Sequence, residues 1–91
     1  MKRYVIERDL PGIGSMSCEQ LKHAAVTSCD ALAKLYGKVQ WVQSYVAGDK
    51  TFCIYLADGE ASVYEHARLS GFPASKITEA RTIIDPMTAF T

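Results

Sequence analysis

Residues 39–57 read VQWVQSYVAGDKTFCIYLA. Two runs rich in β-branched and aromatic residues, 39–47 and 51–57, flank Gly48-Asp49-Lys50, which predicts a β-hairpin with a tight connection near the middle of the chain. Outward from this hairpin, each side supplies one helix and one further strand. Toward the N-terminus, Ser17 and Gln20 have the spacing of a capping box, and Met16 and Leu21 occupy the positions of a hydrophobic staple. Leu21, Ala25, Ser28, Leu32 and Leu35 recur at spacings of three and four, the buried stripe of a helix that Gly37 is placed to end. Before it, residues 3–9, RYVIERD, alternate as a strand, and Pro11-Gly12-Ile13-Gly14 turns the chain. Toward the C-terminus, Asp58 is placed to cap a helix over about 60–70, which Gly71 ends and Pro73 keeps from resuming. Phe72 is then positioned to pack back on that helix or to roof a cavity. Residues 76–84, KITEARTII, predict the last strand.

The order β-α-β-β-α-β with a central hairpin predicts an α+β fold of the ferredoxin-like kind. Its four-stranded antiparallel sheet carries both helices on one face. A chain of 91 residues has no room for two separate cores, so residues 1–91 are expected to form a single domain. Ten Lys and Arg offset ten Asp and Glu, for a net charge of zero at pH 7. That balance lacks the basic footprint of a nucleic-acid binder or a polybasic membrane anchor. No apolar run approaches the roughly 18 residues that span a bilayer, and MKRYVIERDL has no signal-peptide core, so a cytoplasmic location is expected. Cys18, Cys29 and Cys53 have neither CxxC nor zinc-site spacing and are expected to be reduced and mostly buried.

Strand alternation divides the sheet residues into two sets. Ile6, Val42, Val46, Phe52, Ile54 and Leu56, with Ala80 and Ile84, are expected under the helices. Val5, Glu7, Trp41, Gln43 and Tyr45 then face the other way, together with Cys53, Tyr55, Glu79 and Arg81. Three large aromatics among carboxylates, a guanidinium and a thiol call for a cover. A second copy of the chain, making a homodimer, supplies one. A cavity for a small molecule, walled by the sheet and that partner, is the sharper expectation. Glu7, Tyr45, Tyr55, Glu79 and Arg81 would line it, with Trp41 and Cys53 in its wall and His66 near its rim.

Two chemistries are open at such a face. Nickel(II) suits imidazole with carboxylate, which makes His66 and Glu7 the candidate metal ligands. No HxxxH, HxH or CxxC spacing is present, so a metal site would need ligands shared across a dimer. His66 falls at the edge of its helix's buried stripe, beside Glu65, where it reads as a surface metal ligand, a partner contact or a cap on the helix edge, and His23 reads as a surface residue. Alternatively, Glu7 and Glu79 on neighbouring strands would share a dry cavity and one carboxyl would become a base near neutral pH. That alternative is a small cofactor-free enzyme of the dimeric α/β-barrel kind, with Glu7 or His66 as base. Arg81 beside the two acids would instead make a structural ion-pair network. Nothing matches a nucleophile elbow, a phosphate-binding glycine loop or a dinucleotide fingerprint.

The stretches YVIERDLPGIG (4–14), WVQSYVAGDKTFCIYLADGEA (41–61) and EHARLSGFPASKITEARTIIDP (65–86) resemble a bacterial family of unknown function with a ferredoxin-like fold. Its best-described member is a nickel-binding, nickel-responsive actinobacterial protein that forms dimers. The resemblance implies the fold and a dimer, with nickel as a cofactor to be tested and no settled enzymatic activity. The family often carries an acid where this chain has Gln43, so no ligand role carries over at that position. Taken together, a small homodimeric protein is expected, binding a divalent metal such as nickel or another small ligand at the open sheet face.

Overall fold

The computed structural model describes residues 1–91 and has the expected element order. Strand β1 (Lys2–Asp9) leads through a 3-10 turn at Ile13–Ser15 into helix α1 (Cys18–Ala33). Strands β2 (Val39–Ala47) and β3 (Lys50–Ala57) form the hairpin, followed by helix α2 (Glu60–Ser70) and strand β4 (Lys76–Ala80). The sheet order is β2-β3-β1-β4 with every neighbouring pair antiparallel. This is the ferredoxin-like α+β arrangement.

Local chemistry sets the element ends. The α1 capping box is complete: the Gln20 backbone N–H donates to Ser17 Oγ at 3.2 Å, and the Ser17 N–H donates to Gln20 Oε1 at 2.9 Å. Two orphan helix donors are satisfied there at once. Helix α2 ends at Gly71, whose φ of 78° is the left-handed conformation that glycine adopts without strain. The hairpin closes with the two-residue turn Gly48-Asp49, pairing Ala47 with Lys50.

Two boundaries differ from expectation. Helix α1 stops at Ala33, and Leu35 reaches the core from the turn beyond it rather than from the helix. Strand β4 ends at Ala80, not at residue 84, because β1 offers it pairing only from Arg3 to Glu7. Ile84 is therefore 80% exposed, and a 3-10 turn at Pro86–Phe90, capped by Asp85, follows.

The largest correction concerns strand phase. In register, Tyr4 lies opposite Tyr55, Ile6 opposite Cys53 and Arg8 opposite Thr51. Directly opposed residues share a face, so Cys53 and Tyr55 lie under the helices while Phe52, Ile54 and Leu56 face outward. The buried core joins Tyr4, Ile6, Leu35, Cys53, Tyr55 and Val63, with Leu32 and Trp41 packed against it. Trp41 was expected outside, but a bulge between Trp41 and Gln43 inserts Val42 as an extra residue. The bulge resets the alternation of β2, turning Trp41 and Ser44 inward while Gln43 and Tyr45 stay outside. Val42 is left half-exposed. Cys18 and Cys29 are exposed, against expectation, and only Cys53 is buried; all three thiols are free. No helix is long and apolar enough to cross a membrane.

Candidate functional site

The inward face of the sheet carries polar groups that its helices must accommodate. Arg8 is in phase with Tyr4 and Ile6 and is 2% exposed. Its Nη1 donates to the carbonyl oxygens of Pro73 at 2.8 Å and Phe72 at 3.3 Å, and its Cζ lies 5.9 Å from the centre of the Tyr55 ring. Nη2 is buried with no partner. His66 on α2 is fully enclosed, with its ring centroid 5.1 Å from that of Tyr55. Its Nε2 is 3.1 Å from Ser28 Oγ on α1, so this contact ties the two helices together, whereas Nδ1 is unpartnered. Burial first, and then the positive charge of Arg8, depress the His66 pKa to about 4. The imidazole is therefore neutral at pH 7. Burial likewise pushes the Tyr55 phenol up.

Beside this cluster lies a cavity of about 270 Å³, between the 3-10 turn, α1 and the sheet. Arg8, Ser28, Thr51 and Tyr55 border its polar side. The rest is mostly apolar, with Ile13, Met16, Leu21, Trp41, Val46 and Phe72. Phe72 thus belongs to the cavity wall as well as following the helix stop. The loop carrying Ile13, also in the cavity wall, is pinned to the hairpin tip: the Leu10 N–H donates to the Asp49 carbonyl at 2.8 Å, and the Gly12 N–H to Asp49 Oδ1 at 3.0 Å. Gly14 is needed there because a Cβ would lie 2.6 Å from the Gly48 carbonyl oxygen. An apolar pocket with a few convergent polar groups is the usual form of a small-molecule site.

The residues expected to line one open-face site are divided among three places. Trp41, Cys53 and Tyr55 border the interior cavity. Glu7 and Tyr45 are on the outer face, where Glu7 opposes Phe52 and Lys76, and Gln43 Nε2 donates to Tyr45 Oη at 2.6 Å. Glu79 opposes Tyr4 and so lies on the helix side of the sheet, where it meets Lys2 Nζ at 3.7 Å. Arg81 is beyond the end of β4 and shares with Glu79 a groove beside Met1 and Lys2. Glu7 and Glu79 point to opposite faces, so the paired-carboxylate base does not form. His66 is a core residue rather than a rim residue, and the sheet separates it from Glu7.

Nickel does not fit these residues within one subunit. No three His, Cys, Asp or Glu side chains gather as a donor set. The Arg8 guanidinium beside His66 also opposes a dication there. As a general base, His66 has a pKa well below the neutral range where such catalysis is most effective, and no carboxylate orients its Nδ1. Arg8, Ser28 and Thr51 were missed as site residues. The available signal was parity: Arg8 follows Tyr4 and Ile6 at intervals of two, which puts a guanidinium on the buried face once Ile6 is assigned there.

The chain is similar to a crystal structure of SCO4226 from Streptomyces coelicolor A3(2), with a TM-score of 0.72 and 19% sequence identity. The alignment covers 90% of this chain and 99% of that one, and it establishes a shared fold. No curated protein matches the chain. The family model for the nickel responsive protein SCO4226-like family matches residues 4–80. With that match over most of its length, the chain belongs to the nickel-responsive SCO4226-like family.

Proposed function

We propose that this chain is a small binding protein whose ligand occupies the cavity between the 3-10 turn, α1 and the sheet. The observation that carries this reading is the cavity itself: about 270 Å³, apolar over most of its wall and polar at the Arg8 side. That volume lies just under the roughly 300 Å³ at which drug-sized sites begin, so the ligand is small. The enzyme alternative is not favoured, since Glu7 lies on the outer face, away from the cavity, and no carboxylate orients Nδ1 of His66. Any nickel bound by this protein would have to be held between subunits, because one subunit gathers no donor set.

Indole is a suitable neutral probe, and ligand-observed NMR is the test. Binding in the submillimolar range is expected for the unaltered protein and should disappear in Ala25→Trp, which fills the cavity from α1. Indole binding that survives Ala25→Trp, or a protein that takes up neither indole nor the acid and amide tested below, would remove the cavity as a ligand site.

A second reading concerns assembly. The outer sheet face carries half-exposed Val5, Phe52, Ile54 and Leu56, with Tyr45 57% exposed. This row is apolar for a different reason from the one expected, since Trp41 and Tyr55 are inside. An apolar sheet face of this kind supports pairing of two copies as a homodimer through their outer faces.

A further inference from the structure

Arg8 is a cation inside the fold without a counter-charge. The ion pairs of the chain, Lys2–Glu79, Lys50–Asp9 and Arg68–Glu65, and the contact of His23 with Glu19 all lie elsewhere. Two carbonyl oxygens and an aromatic face satisfy one side of the guanidinium, and all of these partners are formally neutral. The neighbouring imidazole is also uncharged at pH 7 and gives no compensation. Nη2 is buried without a partner, while Arg8 itself borders the cavity. A desolvated charge left unpaired is strongly unfavourable, and folded proteins normally neutralise it with a partner or a ligand.

We propose that the cavity selects a small monocarboxylate with an apolar body, its carboxylate paired with the Arg8 guanidinium and its body against Ile13, Met16, Leu21 and Trp41. This inference rests on the cavity being a ligand site, as proposed above. One guanidinium balances one negative charge. A phosphate dianion would leave a net charge among apolar walls, and a neutral ligand would leave the arginine uncompensated. The hydroxyl of Thr51, which lies opposite Arg8 in the sheet and also borders the cavity, is a donor for a carboxylate oxygen.

Calorimetry with phenylacetate and its neutral isostere phenylacetamide tests the proposal on the full chain. Phenylacetate should bind at least about tenfold more tightly, and phenyl phosphate should bind more weakly than phenylacetate. Arg8→Gln should erase the preference for the acid while keeping phenylacetamide binding, and Ala25→Trp should abolish both. If Arg8→Gln does not fold, the side-chain 15N resonances of Arg8 in the unaltered protein decide: they should move with phenylacetate and not with phenylacetamide. Equal affinity for acid and amide would overturn carboxylate selection and leave the cavity reading intact. Phenylacetate binding that persists in Ala25→Trp places the anion on the surface and also overturns it. No binding of indole, acid or amide would bring down the cavity reading as well.

Discussion

His66 shows how one enclosed side chain couples the interior to pH. Its pKa falls from 6.5 to about 4 on folding, because burial and the Arg8 charge both disfavour the imidazolium. Between those two values the unfolded chain takes up a proton that the folded chain refuses. The stabilisation is therefore fully present above about pH 6.5 and is lost as pH falls toward 4. The loss is on the order of 2–3 kcal/mol over that window. Urea unfolding at several pH values should show this decline, and His66→Gln should flatten it relative to the unaltered protein. Carboxylates titrate in both proteins, so the difference between the two slopes isolates the imidazole. Equal slopes would mean that His66 is solvated in the native state. Because Nδ1 is unpartnered and Nε2 faces Ser28, the residue acts as a helix-to-helix tie, consistent with a role in packing rather than metal binding.

At the scale of elements, the segment between β1 and α1 shapes the cavity. It is held at one end by the Ser17–Gln20 capping box and at the hairpin tip by Asp49. Gly14 lies against the Gly48 carbonyl, with no space for a methyl group. Gly14→Ala forces two backbone segments apart and should cost about 1–3 kcal/mol, the usual range for overpacking. It should also weaken indole binding, since Ile13 and Met16 in the same segment form part of the cavity wall. Denaturant unfolding and the NMR titration measure the two effects. An unchanged unfolding midpoint would show that the segment shifts freely and does not define the cavity.

For the whole molecule, the outer face of the sheet is the surface that assembly would use. Light scattering of the dimer proposed above should give about twice the 10.0 kDa of one chain at tens of micromolar. Ile54→Glu places a carboxylate at the centre of the outer row and should return the protein to a single chain. It should leave indole binding unchanged, because Ile54 and the cavity lie on opposite faces. A single-chain mass for the unaltered protein would remove the dimer while leaving the interior site in place. The sheet is open, with β2 and β4 at its edges, so one chain forms no barrel.

The element order, the α1 cap, the hairpin turn and the end of α2 were legible in the sequence because each depends on residues only a few positions apart. Ser17 needs Gln20, and Gly71 needs only its own backbone freedom. Together with the pattern of apolar residues, these local signals led to the ferredoxin-like order. Which sheet face meets the helices was a tertiary decision. Strand β3 has apolar side chains on both faces, so its alternation has no polar side to break the tie. Its phase follows from pairing with β1, and the phase of β2 from a bulge at Val42 that strict alternation does not predict. The candidate site was hidden for the same reason. Arg8 meets the Pro73 carbonyl 65 residues away and Ser28 meets His66 38 residues away. Such partners become neighbours only when sheet and helices pack, and that packing encloses a guanidinium beside an apolar cavity.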